Sequence, residues 1–316
     1  MRALVIARPG GPEVLDIREV PDPVAGAGEV VVRVRAAALN RADLLQRRGL
    51  YPAPEGSPAD VPGLEFAGEI VSSGDRVMGI VGGGAQAERL AVDARLCLAI
   101  PDALSFEDAA AVPEAYLTAY DALFVRGHLA PGEWVLLHAA GSGVGTAAAQ
   151  IASHAGARVV ALSRSPDKRV KLAATGLVAL DAGSPGLADD IRRATGGGVD
   201  VVIDVVGAAS LALDLAVLRP KGRLVIAGTM SGARTELDLG SLMRKRLTIV
   251  GTVLRSRPLA EKIEVTGAFA RAILPLLASG ALSPTVDRVV PWTEARAAHA
   301  SMERNENFGK IVLAIA

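Results

Sequence analysis

The residues with the plainest chemistry lie in LLHAAGSGVGTAAAQIA, residues 136–152. Its turn AAGSGVG sets Ala140, Ser142, Gly143, Val144 and Gly145 in a row of small side chains. Such residues let backbone N–H groups approach a pyrophosphate where a helix begins and its dipole favours negative charge. The spacing is not the usual fingerprint. Aligned on Gly143 and Gly145, the first two glycine positions hold Ala140 and Ser142, and tight packing of a strand on a helix would use the same residues. Twenty residues after Gly143, where an acidic side chain grips the ribose hydroxyls of NAD, the sequence reads ALSRSPDK, with Ser163 in that place. That position offers no carboxylate against a 2′-phosphate, and Arg164 and Lys168 stand ready to pair with one. The pattern favours NADP(H) over NAD(H); a solvated basic turn is the plainer reading of the same two residues.

The elements around the turn decide its meaning. The run from Trp134 to Ala157 contains no Lys, Arg, Asp or Glu and is long enough to span a bilayer, for which about 20 apolar residues suffice. Its middle holds Gly141, Ser142, Gly143 and Gly145, with Thr146, Gln150, Ser153 and His154 following, and a lone helix in lipid would need a partner for each polar group. Periodicity splits the run into a strand (WVLLHAA), a small-residue helix ending at Gly156 and a second strand (ARVVALS). Strand, glycine turn, helix and strand make a βαβ unit that holds a phosphate. Beyond it strands and helices alternate: a helix over 166–175, VVIDVVG, a helix over 209–218, RLVIAG and LTIVGTVL. This is the pattern of a doubly wound parallel sheet, the α/β Rossmann class.

The first third instead alternates short strands with turns: VVVRVRAAAL, a Pro/Gly loop, EFAGEIV, RVMGIV and ERLAV. It predicts a partly antiparallel β domain. Helical patterns begin at Ser105 and again at Pro113. After Pro258 come a long helix carrying Phe269, Ile273 and Leu277, then DRVVPW, a last helix and KIVLAIA. The expected organisation is a nucleotide domain over 117–256 inserted into a β-rich domain made of 1–116 and 257–316.

A length of 316 residues suits two domains. The formal charge of zero leaves no basic excess for nucleic acid. Cys97 is the single cysteine, so there is no disulfide framework and no thiolate cluster for structural zinc; a reducing, cytoplasmic setting fits. The opening MRALVIARPGGPE has too short an apolar stretch for a signal-peptide core and reads as an edge strand.

Several segments together carry a resemblance: ALNRADLLQRRGLYPAPEG, PGLEFAGEI, GDRVMGI, PEAYLTAY, HAAGSGVGTAA, GTVLRSR and NENFGKIVL. Spread from residue 38 to 313 in a fixed order, they are similar to the zinc-free quinone oxidoreductase branch of the medium-chain dehydrogenase/reductase superfamily, the ζ-crystallin-like proteins. Ser142 in the glycine turn is a mark of the p53-inducible subgroup. The resemblance implies a GroES-like catalytic domain beside the Rossmann domain. It also implies that Asn40, Asp43 and Tyr51 line a cleft beside the nicotinamide, Tyr51 donating a hydrogen bond or proton to a substrate oxyanion and Asn40 orienting that oxygen. Asn40 is equally well placed to cap the helix NRADLLQRR. Thr118, Gly228, Thr229, Met230, Leu254, Arg255 and Asn307 are implied near the cofactor.

Zinc alcohol dehydrogenases of the same superfamily differ at the ligands. Asn40 stands where that class has its first cysteine, and Leu64 where PGHE has its histidine. Neither residue holds zinc, and His128, His138, His154 and His299 show no ligand spacing. The expected activity is therefore NADPH-dependent reduction of a quinone without metal. A reductase of activated C=C bonds, with Arg41, Arg47 and Arg48 as a basic entrance for a thioester's phosphates, and a non-catalytic NADPH-binding protein are the alternatives. Relatives carry a longer turn where only Ser72 and Ser73 stand, and one more residue in TGLVALDA. The apolar last strand of the nucleotide sheet, LTIVGTVL, suggests a homodimer through its edge.

Overall fold

The computed structural model describes residues 1–315, in two compact units: Met1–Leu117 with the chain from Leu254 onward, and Thr118–Val253. In the first unit the N-terminal part supplies β1 (Arg2–Ile6), β2 (Leu15–Glu19), β3 (Glu29–Ala38), α1 (Arg41–Arg47), β4 (Glu65–Ile70), β5 (Arg76–Ile80), β6 (Arg89–Asp93), β7 (Cys97–Ala99), α2 (Phe106–Ala110) and most of α3 (Pro113–Tyr120). The returning chain adds α9 (Leu259–Ala278), β14 (Val286–Pro291), α10 (Ala295–Glu303) and β15 (Lys310–Ala314). The main sheet has the order β14-β15-β3-β4-β5-β7, with β6 also pairing β3, and is antiparallel except for β14 on β15. β1 and β2 form a separate hairpin. Strand β3 is β-branched at its outer end and small at its inner end, so Val32 and Val34 join Phe66, Leu90, Ile311 and Leu313 in the core. The central position of β3 sets Asn40 and α1 directly beyond a buried strand end.

The turn between β4 and β5 is closed and regular. Ile70 N–H donates to Asp75 O at 2.9 Å and Gly74 N–H to Ile70 O at 2.8 Å, while Glu69 pairs with Arg76. Gly74 takes φ +80°, a left-handed conformation that glycine adopts at little cost. Ser72 and Ser73 lie within this turn, between Ile70 and Gly74.

The second unit contains β8 (Trp134–Leu137), α4 (Gly143–His154), β9 (Arg158–Ser163), α5 (Pro166–Ala173), β10 (Val178–Asp181), α6 (Leu187–Thr195), β11 (Val199–Asp204), α7 (Leu211–Val217), β12 (Leu218–Ile226), α8 (Leu239–Lys245) and β13 (Thr248–Gly251). All neighbours in the order β10-β9-β8-β11-β12-β13 are parallel. The chain winds outward from β8 in one direction and from β11 in the other, so the switch point where such sheets bind ligands lies between those two strands. Val135, Leu136, Val160, Ala161, Val201 and Val202 are fully buried there, the continuous apolar run of a strand covered on both faces. The uncharged run 134–157 is thus strand, turn and helix, and no helix among the described residues is long and apolar enough to cross a membrane.

In the second unit three elements are not resolved by the sequence pattern, β10, α6 and α8; in the first, β2 and β7 are not. β10 is four half-buried residues, too few for a period. α6 does carry a signal, because Leu187, Ile191 and Thr195 recur every four residues on its buried side and Gly196 ends it in the left-handed conformation.

Candidate functional site

In the first unit, Asn40 has the extended dihedrals of an N-cap, φ −127° and ψ 152°, and stands in a capping box with Asp43, while its amide also bonds to other elements. Asn40 Nδ2 donates to Glu65 Oε1 at 2.9 Å, and Asn40 Oδ1 accepts from Lys310 Nζ at 2.7 Å. A flipped amide would set donor against donor and acceptor against acceptor, so these neighbours fix its orientation. Lys310 Nζ also donates to Leu39 O at 2.8 Å and lies 2.5 Å from Glu65 Oε1. Glu65 is fully buried, and its second oxygen accepts the Glu114 N–H at 2.7 Å. Asn40, Glu65 and Lys310 are therefore one closed hydrogen-bonded group. Asp43, the third residue of α1, supplies the return half of the capping box: its oxygens accept from Asn40 N–H at 2.8 Å and Gly63 N–H at 2.9 Å. Burial pushes the Asp43 carboxyl up to about 6, against the opposing pull of those two N–H groups, Lys310 and Arg255. Of the three residues expected to do chemistry, Asn40 and Asp43 are tied into the scaffold.

Tyr51 keeps a half-buried phenol. Burial raises its pKa; Arg255 opposes that rise, and Glu114 adds to it. Arg255 is only 4% exposed and lies in this unit with Tyr51, its guanidinium carbon 5.0 Å from the ring centroid. Glu114 is pushed up to about 7, by loss of hydration first and then by the Glu65 charge. Lys262 on α9 is held below its ordinary value by burial, with Glu114 opposing. Sequence reasoning passes over Glu114, Lys262 and Lys310. Glu114 and Lys310 do sit inside the diagnostic segments PEAYLTAY and NENFGKIVL, but only the fold brings their charges to Tyr51 and Asn40. Among the other expected residues here, Leu254 is buried, and Asn307 is buried with Nδ2 bonded to Gly309 O at 2.7 Å.

In the second unit the glycine turn follows β8. Ala139 takes φ +47° and Ala140 is fully buried. Ser142 caps α4, its Oγ accepting the Gly145 N–H at 3.1 Å. Helix geometry leaves the N–H groups of Gly143 and Val144 without an intrahelical acceptor, on residues that remain accessible. A Cβ at Gly145 would lie 2.6 Å from Ala139 O and from Ala140 Cα, so only glycine lets the helix approach the strand end so closely. The turns after β11 and β12 touch each other. A Cβ on Gly228 would meet Val205 O at 2.8 Å, and one on Gly207 would meet Thr229 Cα at 2.8 Å. Ser231 N–H and Oγ both bond Val206 O at 2.8 Å. Thr229 and Met230 are thereby held on the rim, Met230 at 51% exposure, while Thr118 is half-buried on α3. Residues 140–145 and 228–230 thus lie at the C-terminal ends of strands of one sheet, and the small-residue cradle fits a dinucleotide pyrophosphate.

At the end of β9, Ser163 is buried, Arg164 exposed and Lys168 half-buried. Two residues that the sequence pattern does not single out join them. Asp181 is the register partner of Ser163 on β10 and pairs with Arg169 at 3.2 Å; Arg169 also donates to Ser163 O at 3.0 Å and Arg164 O at 2.9 Å. A carboxylate does stand beside the strand end, from the neighbouring strand, with a guanidinium bound to it.

The histidines need one revision. His138, directly after β8, meets Asp214 of α7 with Nε2 2.7 Å from Oδ1, and Asp204 at the end of β11 completes a buried group whose ligand atoms lie within 4.8 Å of one another. Spacing along the chain could not show this, because the three residues come from three elements. Asp204 already accepts from Val206 N–H, Gly207 N–H and Ser210 Oγ at 2.7–3.2 Å. The group serves as a bolt between turns and does not present an open cation site. The proposed basic entrance also changes: Arg47 is fully buried against Gly10 O, His299 and Glu303, Arg48 pairs with Glu303 at 2.8 Å, and Arg41 bonds Asn305 at 2.6 Å.

Comparison with known proteins gives a consistent set of likenesses. Residues 26–102 match the alcohol dehydrogenase GroES-like domain and residues 143–270 the zinc-binding dehydrogenase family. The chain is 31% identical to the rat synaptic vesicle membrane protein VAT-1 homolog, over 99% of this chain and 84% of that protein. It is 37% identical to a phenolphthiocerol/phthiocerol polyketide synthase of Mycobacterium tuberculosis, over 71% of this chain and 11% of that one. The structure of a quinone oxidoreductase from Thermus thermophilus, solved also with NADPH, superposes with a TM-score of 0.86 at 36% identity, covering all of both chains.

Proposed function

Because the chain belongs to the medium-chain dehydrogenase/reductase superfamily, in its quinone oxidoreductase-like branch, we propose that it is an oxidoreductase that reduces quinones with NADPH and without zinc. The observation that carries this reading is the closed group of Asn40, Glu65 and Lys310. A catalytic zinc needs three protein ligands and an open position. Here the candidate positions hold an amide, the buried Leu64 and a carboxylate that already faces an ammonium at 2.5 Å, so a fixed cation takes the place a metal would need.

When bound, NADPH supplies the hydride. The chain supplies orientation. The N–H groups of Gly143 and Val144 would hold the pyrophosphate, the 228–230 turn borders the same sheet, and Arg164 and Lys168 would offer positive charge to a 2′-phosphate, with Arg169 neutralising Asp181. Tyr51 donates its phenol hydrogen bond to the substrate oxygen as charge builds there. A quinone oxygen draws its proton from water afterwards, which suits a site whose carboxyls at Asp43 and Glu65 are committed to the scaffold.

Kinship with a polyketide synthase supports one other reading, reduction of a C=C bond conjugated to a carbonyl. Rates of NADPH and NADH oxidation with a naphthoquinone and with an alkenal separate the two. The expected result is fast NADPH-dependent quinone turnover, NADH slower, and no change on adding EDTA or zinc. Turnover with the alkenal alone replaces the quinone assignment. A rate abolished by EDTA and restored by zinc removes the metal-free mechanism, and equal use of NADH removes the role given to Arg164 and Lys168.

A further inference from the structure

Arg255 is a buried cation without a counter-ion in contact. Its guanidinium donates from Nε to Gly82 O at 2.8 Å, from Nη1 to Tyr51 O at 3.2 Å and from Nη2 to Gln46 Oε1 at 2.5 Å, while its face covers the Tyr51 ring at 5.0 Å. Every one of these partners is neutral. Taking an ion out of water is costly, and a carboxylate in contact is the usual compensation; here the carboxyls of Asp43 and Glu114 act only at a distance. The fork also leaves little with which to bind a phosphate. What the side chain does accomplish is specific. It ties the backbone of Tyr51 to α1 through Gln46 and to the chain after β5 through Gly82, and it lays a positive charge on the face of the phenol that is to donate.

We propose that Arg255 is a positioning residue for Tyr51: one guanidinium fixes the backbone and ring of the hydrogen-bond donor and polarises its O–H through the stacked face. Its catalytic consequence rests on the reading of Tyr51 given above, but the arrangement itself does not. A cation over an aromatic face is attracted to the ring and still more to the phenolate, so it strengthens Tyr51 as a donor. Glu114 on α3 works in the opposite sense. Lys262 on α9 and Asp43 on α1 face Arg255 from the other elements packed around it, so the acidity of Tyr51 is set by a balance in which Arg255 is the one cation in contact among the described residues. Lysine cannot substitute fully, because it lacks the planar fork that makes three bonds and stacks at once.

The chain has three tyrosines, Tyr51, Tyr116 and Tyr120, so an ultraviolet titration of the intact protein minus that of Tyr51→Phe isolates the Tyr51 phenol. In Arg255→Met the Tyr51 midpoint is expected to move upward, and in Arg255→Lys to lie between parent and Arg255→Met. With a naphthoquinone, kcat is expected to fall roughly tenfold in Arg255→Met, the NADPH dissociation constant to stay within about twofold, and the pair Tyr51→Phe/Arg255→Met to be no slower than Tyr51→Phe alone. An unmoved Tyr51 midpoint in a folded variant overturns the inference, as does a weakened NADPH affinity with an unchanged midpoint, which assigns Arg255 to the cofactor. If Arg255→Met does not fold, Arg255→Lys decides on the same midpoint. Absence of quinone turnover in the parent overturns the proposed activity and leaves the titration to judge Arg255.

Discussion

Lys310 and Glu65 form the kind of pair whose removal is costlier than its absence would be. Both are buried, at 4% and 0% exposure, and both are held by further bonds: the ammonium donates to Leu39 O and Asn40 Oδ1, and the carboxylate accepts from Asn40 Nδ2 on one oxygen and the Glu114 N–H on the other. Removing one partner of such a pair leaves a buried charge without compensation and typically costs about 3–5 kcal/mol, whereas replacing both with neutral groups of similar size costs far less. Lys310→Met is therefore expected to lower the urea unfolding free energy by about 3–5 kcal/mol, and Lys310→Met with Glu65→Gln to recover most of the loss. The single variant unfolding within about 1 kcal/mol of the parent, on the scale of an exposed pair, would show that the ammonium is not the cation on which this site depends. Asn40 should follow Lys310, because the ammonium is what holds its amide oxygen in place.

At the level of elements, the turns after β8 and β11 are joined by His138, Asp204 and Asp214. Loss of hydration works against a charged His138, but the Asp214 hydrogen bond and charge, with Asp204 beyond, hold its pKa above the ordinary 6.5. A histidine raised in the folded state contributes stability that is complete below the unfolded value and is lost as pH rises through the folded one. The window therefore opens at about pH 6.5 and extends upward. The parent Tm is expected to fall across that window more steeply than the Tm of Asp214→Asn, in which burial is opposed only by the more distant Asp204 charge. Asp43 and Glu114, raised to about 6 and about 7, also lower stability as pH rises, but they do so in both proteins and drop out of the difference. Parallel Tm curves for the two proteins would rule out a charged His138. This bolt also marks where the sequence stops being legible. The glycine turn, its helix and the strand after it are local, and residues 134–163 contain all the periodicity and small-residue spacing needed to read them. His138 and Asp214 lie 76 positions apart, Lys310 and Asn40 270 apart; such meetings depend on strand order, which no local pattern encodes. Asp181 escaped for the same reason, because its place beside Ser163 follows from the β9–β10 register. Asn40 shows the complementary case: its position as an N-cap was legible, but the bonds of its amide to Glu65 and Lys310 were not.

For the whole molecule, the open question of assembly turns on one edge of the parallel sheet. β13 ends the order β10-β9-β8-β11-β12-β13 and, among the described residues, pairs on one side only, with β12, so the N–H and C=O groups of its far side face away from the sheet. Such an edge invites pairing unless charge, a proline or a bulge blunts it; Thr248–Gly251 reads TIVG and carries none of these. α8, immediately before β13, adds Leu239 at 67% and Met243 at 74% exposure, and Val253 just after it is 47% exposed. Apolar side chains grouped beside an open edge mark an association surface more than scattered ones do. A two-fold pairing of this edge with its own copy satisfies the backbone groups of both and closes the assembly, because the same patch serves each partner. Sedimentation equilibrium at micromolar concentration is expected to give a dimer, and Leu239→Lys with Met243→Lys to weaken it by at least tenfold, since these side chains are exposed in the single chain and their replacement leaves its core untouched. A parent that sediments as a monomer removes the proposal. A dimer indifferent to both lysines moves the contact away from α8, and the β13 edge must then be covered by something other than a second copy of itself.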